Sequence, residues 1–183
     1  MSLFQLTQRS GPSGAFLATW FDDDACTWDV PALRTPQTLV QQWVTPALRL
    51  HGDFADPPPV LFNPNALAFS ATLKAELASF SEIEWLPVQI LGRESFHILH
   101  VVSAVELPTG AVTLLPSSDG GNVGAIHSFP PDYSPPTASF RVLQPIGSPA
   151  RRGNRCIPGV FMSGTGKAAI ERAAGTHLYA RPA

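Results

Sequence analysis

The chain predicts an α+β fold: an antiparallel or mixed sheet with two or three short helices packed on it and long proline-rich loops. Three observations lead there. Nineteen prolines in 183 residues are about twice average usage. Each removes an N–H and clashes with the preceding turn, so long helices and an all-helical bundle are excluded. Apolar residues make up 44% of the chain and charged residues 14%, which supplies a core and argues against wholesale disorder and coiled coils. The run from Phe96 to Glu106 is rich in β-branched and aromatic residues and reads as the best strand. The length suits one domain, 1–183.

From the start, residues 1–14 read as a loose arm or a short edge element, because Gly11, Pro12, Ser13 and Gly14 punctuate them. Ala15 to Phe21 reads as a strand stopped by Asp22, Asp23 and Asp24. Gln37 to Val44 predicts two helical turns, with Thr35 as N-cap, Pro36 at the first helical position and Pro46 beyond the end. Val60 to Phe62 is a short extended segment. Ser70 predicts a capped helix over 71–80, whose Leu73, Leu77 and Phe80 share one face.

Trp85 to Leu91 reads as a strand that Pro87 confines to an edge or a bulge. Phe96 to Glu106 is expected to turn at Pro108-Thr109-Gly110 and pair with Ala111 to Leu115 as a hairpin. Residues 116–124 and 129–137 are loops by composition. Phe140 to Leu143 and Ile157 to Met162 are the last strands on this reading, and Gly164 to Ala174 the last helix. Leu73, Leu77, Leu86, Val88, Ile98 and Val102 are expected in the core. The stretch from Phe69 to Leu77 also matches Met162 to Ile170, with serine, threonine, lysine, alanine and a large aliphatic at common offsets. Shared helix-cap chemistry and a true duplication both explain this.

No catalytic template fits. Ser163-Gly164-Thr165-Gly166-Lys167 resembles a phosphate loop, but a Walker A needs glycine where Phe161 stands and a hydroxyl where Ala168 stands. No serine elbow surrounds Ser163. The cluster Gly120, Gly121, Gly124 misses the dinucleotide fingerprint at Asp119. His97 and His100, three apart in a strand, point to opposite faces and cannot share an ion. His51, His127 and His177 stand alone. The Asp22–Asp24 run lacks the spacing of an EF-hand. No metal, cofactor or catalytic residue is therefore expected.

Cys26 and Cys156 are far apart and read as buried thiols of a reducing compartment. Neither a signal peptide nor a membrane span is legible, so a cytoplasmic location and no membrane partner are expected. The only tight basic cluster, Arg151, Arg152 and Arg155, lacks interleaved aromatics, which disfavours nucleic acid. Thirteen of the fourteen acids precede residue 133, and seven of the twelve lysines and arginines follow it. Either the two segments neutralise each other, or an acidic surface faces a basic partner.

Several segments, taken in order, resemble one family. They are Leu67-Ala68-Phe69-Ser70 with its helix, Trp85-Leu86-Pro87-Val88, Phe96 to Val105, Phe140-Arg141-Val142-Leu143, Phe161 to Ile170, and Gly175 to Tyr179. Together they are similar to the immunity proteins of bacterial polymorphic toxin systems, the family typified by the myxobacterial immunity protein. Residues 60–180 carry the likeness. His100 stands where the family more often has asparagine, an aspartate is missing after Val105, and Gly166 is unusual in the last helix.

The resemblance implies a small α+β protein without catalytic residues. It would bind and neutralise a cognate toxin from the adjacent gene, a nuclease effector of a contact-dependent or type VI system among the candidates. Asp22, Asp23, Asp24, Asp53 and Asp56 are the expected toxin-facing residues, with Trp20, Trp28 and Tyr133 as candidate aromatic anchors. Two other classes stay open. One is an enzyme whose site would bring two of His51, His97, His127 and His177 to an acid; the other is an adaptor of a secretion apparatus.

Overall fold

Alternation along Ile83–Ile90 and Ser95–Val101 puts apolar side chains on both faces of a strand pair, so this pair must be covered twice. The computed structural model of the chain describes residues 2–8, 30–48, 59–63, 66–90, 95–116, 122–144, 155–157, 159–174 and 178–183. The strands are β1 (Phe4–Gln8), β2 (Ala47–Leu48), β3 (Val60–Asn63), β4 (Ala66–Ser70), β5 (Ile83–Ile90) and β6 (Ser95–Val101), followed by β7 (Ala104–Val105), β8 (Val112–Pro116), β9 (Asn122–His127), β10 (Ser139–Val142), β11 (Phe161–Met162) and β12 (Leu178–Pro182). The helices are α1 (Val30–Leu33), α2 (Ala71–Glu76) and α3 (Gly164–Ala174). One sheet runs β12-β1-β11-β10-β7, a second β2-β5-β6-β4-β3, and β8 pairs with β9 as a separate ribbon. The fold is α+β, as expected.

The two faces of the second sheet are covered by different parts of the chain. On one face, Trp85, Leu99 and Val101 pack under Leu73 and Leu77 near α2 and Ile170 of α3. On the other, Leu86, Val88, Phe96 and Ile98 lie beneath Leu33, Leu39 and Trp43. The first sheet has its own outer core, where Phe140 and Phe161 stack at 5.9 Å and Phe129 meets Phe161 at 5.4 Å.

Both serine caps form. Ser70 Oγ accepts from Leu73 N at 3.4 Å and Ser163 Oγ from Gly166 N at 3.3 Å. Each follows a strand, β4 or β11, and the two helices meet in one apolar cluster. The first is shorter than expected: α2 stops at Glu76, with Leu77 as C-cap. Five of the six expected core residues are buried, while Val102, just past the end of β6, is half-buried.

Four expectations are corrected. The predicted helix over 37–44 is absent; helical backbone lies earlier, at α1. Thr35 closes that helix rather than opening one, because its N and Oγ1 both donate to Ala32 O, at 2.9 and 2.8 Å. The long strand from Phe96 is cut at Val102-Ser103. There the chain changes sheets, and β7 pairs in parallel with β10. The Pro108–Ala111 turn forms around Gly110 at φ 85°, but the strand after it pairs forward with Asn122–His127, converting part of the 116–124 loop into β9. Residues 1–14 are not all loose, since Phe4–Gln8 lies between β12 and β11.

Pro87 conforms to its constraint although β5 has neighbours on both sides. The β2 contact begins only at Gln89. The Pro87 carbonyl accepts from Trp43 Nε1 at 2.8 Å, so its backbone turns away from β6 and the missing N–H costs no ladder bond. The strand expected at Ala15 to Phe21 lies outside the described residues.

Candidate functional site

Residues 34–46 form a strap across the second sheet, held by three polar contacts. His100 Nε2 meets the Gln37 carbonyl at 2.9 Å, Leu39 N donates to Glu84 Oε2 at 2.8 Å, and Trp43 bonds the Pro87 carbonyl. His100 and Glu84 face each other across β5 and β6. Facing a carbonyl, Nε2 carries the proton, which leaves Nδ1 unprotonated and without a partner. Burial, assisted by Arg141, holds His100 below its ordinary 6.5, against the opposing pull of the Gln37 bond and Glu84. This His/carboxylate pair holds the strap; His100 is fully buried and Glu84 is committed to a backbone amide.

His97, on the opposite face, is half-buried and also below its ordinary value, through burial and then Lys74. The alternation that separates the two histidines was legible in the sequence. His51 and His177 lie outside the described residues, as does the side chain of His127.

A second polar cluster lies where α1, β10 and residues 155–157 converge. Cys156 N donates to Arg34 O at 2.7 Å, Gln144 N to Arg155 O at 2.9 Å, and Ile157 N to Val142 O at 2.8 Å. Arg141, 6% exposed, alternates with Phe140 and Val142 and points away from their core. Its Nε has no acceptor. Burial and neighbouring Arg34 lower its pKa, while Cys156 opposes them. Burial pushes the Cys156 thiol up to about 11 despite Arg141. Sequence reading passed over this cluster; an arginine set between Phe140 and Val142 in a strand was the available signal.

A third feature is a cavity of about 70 Å³ between Leu107, Pro108, Val112 and Gln144. The Gln144 Oε1 atom is buried without a partner. The volume suits a few waters and is well below that of a substrate pocket.

The proposed toxin-facing residues Asp22, Asp23, Asp24, Asp53 and Asp56 lie outside the described residues, as do Trp20, Trp28 and Cys26. Tyr133 is half-buried, packed on Phe129 at 5.4 Å and Phe140 at 6.2 Å, and so belongs to the edge of a core. The large exposed apolar side chains among the described residues are Val40 and Val44 on the strap.

The Ser163–Lys167 stretch opens α3. Lys167 Nζ pairs with Glu171 at 2.6 Å and sits over the Phe4 ring. Among the described residues no group of three or more histidines, cysteines and acids is placed to hold a metal ion. No helix among them is long and apolar enough to cross a membrane. A comparison with family models finds no match, and a comparison with curated proteins finds none either.

Proposed function

We propose that the protein is an immunity protein that binds a cognate bacterial toxin, the product of a neighbouring gene, and blocks it by occupation rather than by chemistry. The observation that carries the reading is where the motifs of the resemblance lie. Phe69 and Leu73, Trp85, Leu99, Met162 and Ile170 come from four separate motif segments and meet in one apolar cluster. A set of short motifs that builds a single packing unit is a coherent signature of a fold, whereas chance matches would scatter over unrelated surfaces. The surplus of acids before residue 133 supports a basic partner.

The test is coexpression with the protein encoded next to it. Copurification in equal amounts, together with protection of cells that express the neighbour alone to lethal effect, is the expected result. A neighbour that is harmless, or that kills equally with and without this chain, would remove the reading.

A further inference from the structure

We propose that the middle of the strap, Gln37 to Trp43, is a latch that mild acid opens through His100 while both ends of the strap stay anchored. The ends are tied by backbone. Cys156 N donates to Arg34 O at 2.7 Å, Gln89 N donates to Pro46 O at 2.9 Å, and Ala47–Leu48 then runs as β2 beside β5. The middle is tied by side chains instead: His100 Nε2 to the Gln37 carbonyl, Glu84 to Leu39 N, and the Trp43 ring to the Pro87 carbonyl. A segment fixed at its ends and held between them by three such bonds opens locally at less cost than the sheet beneath it unfolds.

His100 is the contact that a proton changes. It follows Phe96 and Ile98 on the face of β6 that the strap covers, and it is 0% exposed. Its Nδ1 is buried without an acceptor, so a proton placed there finds no bond while the strap is closed. Few charged groups surround the ring. The strap has none between Thr35 and Pro46, and neither has β4. From β5, Glu84 lies directly opposite and already accepts from Leu39 N. From β10 comes Arg141, whose charge opposes a second cation, and beyond it lie Arg34 and the Cys156 thiol, uncharged at neutral pH.

A buried imidazolium is costly, and lifting the strap lets water reach it. Burial first, with Arg141 assisting, holds the closed ring below 6.5, against the pull of the Gln37 bond and Glu84. With the strap open the ring returns towards its ordinary value, so the closed form binds fewer protons. Stabilisation of the closed form is therefore complete above about pH 6.5 and is lost as pH falls from there through the closed value, by up to about tenfold per unit. The latch is independent of the toxin reading, because it needs no second protein.

Hydrogen exchange of the full chain, followed by NMR from pH 7.5 to 5 and corrected for intrinsic rates, tests the latch. At every pH the Leu39 amide and the Trp43 ring N–H should be less protected than the Gln89 and Cys156 amides at the anchors and Lys167 N in α3. Low urea should barely change exchange at Leu39 and Trp43, the mark of a local opening. Their protection should fall below pH 6.5 by up to about tenfold per unit, in step with titration of the His100 ring. His100→Gln, which keeps a donor for the Gln37 carbonyl but gains no proton, should flatten that fall. Two results in the unaltered protein suffice to overturn the latch, whether or not the variant folds. One is protection at Leu39 and Trp43 equal to that of the anchors and α3; the other is lower protection that does not change with pH. A folded His100→Gln protein that keeps the full pH dependence overturns it as well.

Discussion

Gly166 is the residue at which local propensity and packing disagree. A glycine inside a helix costs about 1 kcal/mol relative to alanine, so Gly166→Ala alone would be expected to help α3. A Cβ there would run into the carbonyl of Ala138, a backbone atom that cannot swing aside. The same carbonyl accepts from Ser163 N at 2.9 Å, which fixes the start of α3 close to the chain before β10. Gly166→Ala should therefore destabilise, by about 1–3 kcal/mol; a higher urea midpoint for the variant would show that α3 does not approach so closely. Ser70→Ala and Ser163→Ala should each cost about 1 kcal/mol by removing a cap acceptor. Equal losses would support equivalent roles for the two strand–serine–helix units, and no loss at either would deny the caps.

At the scale of elements, a buried carboxylate reinforces the join that the shared apolar cluster makes between the two sheets. Glu82 precedes β5, is buried, and its Oε1 accepts from both N and Oγ of Ser139 in β10, at 2.8 and 3.0 Å. Glu82→Ala strands a buried amide and should cost about 1–3 kcal/mol. Glu82→Gln keeps an acceptor oxygen and should recover most of that loss in urea denaturation. The alanine and glutamine variants being equally stable would mean that this bond does not hold the sheets.

Elements with a local cause were legible in the sequence: the serine caps, the Pro87 constraint and the apolar runs of β5 and β6. Those decided at a distance were not. The helix expected over 37–44 lost to contacts with Glu84, His100 and Pro87, more than forty positions away in the chain. The strand from Phe96 was cut because Ser103 O and Val105 O receive N–H groups of Arg141 and Leu143, from a segment that periodicity cannot place. The His100–Glu84 pairing and the Arg141 cluster escaped for the same reason, since register and burial are tertiary facts.

For the molecule as a whole, the buried His100 and the half-buried His97 set an acid limit. His97 and His100 both titrate below 6.5 when folded, so the unfolded chain takes up protons first. Stability from this source is complete above about pH 6.5 and is lost as pH falls through the folded values. Unfolding midpoints measured between pH 7.5 and 5 should fall with acidity, and His100→Gln should make that fall shallower. An unchanged slope would mean that His100 is not desolvated. Cys156, fully buried, should resist a disulfide reagent in the native protein and react on unfolding. On the proposed toxin reading, replacing Asp22, Asp23 and Asp24 together by asparagine should slow association and flatten its salt dependence. Stopped-flow rates unchanged by the triple variant would take these aspartates out of the interface.

The pairing of β1 with β12 has a consequence in time. Phe4 lies opposite Pro182 and Gln8 opposite Leu178, with Ala183 N donating to Leu3 O at 3.0 Å. β1 therefore leaves the ribosome well before β12, the strand that closes it, and at the usual pace of about 5–20 residues per second it waits on the order of ten seconds or more for that partner. Until then β1 presents an open edge, a template for pairing with another chain. Synthesis is thus an interval in which β1, made long before its partner, is open to pairing with another chain.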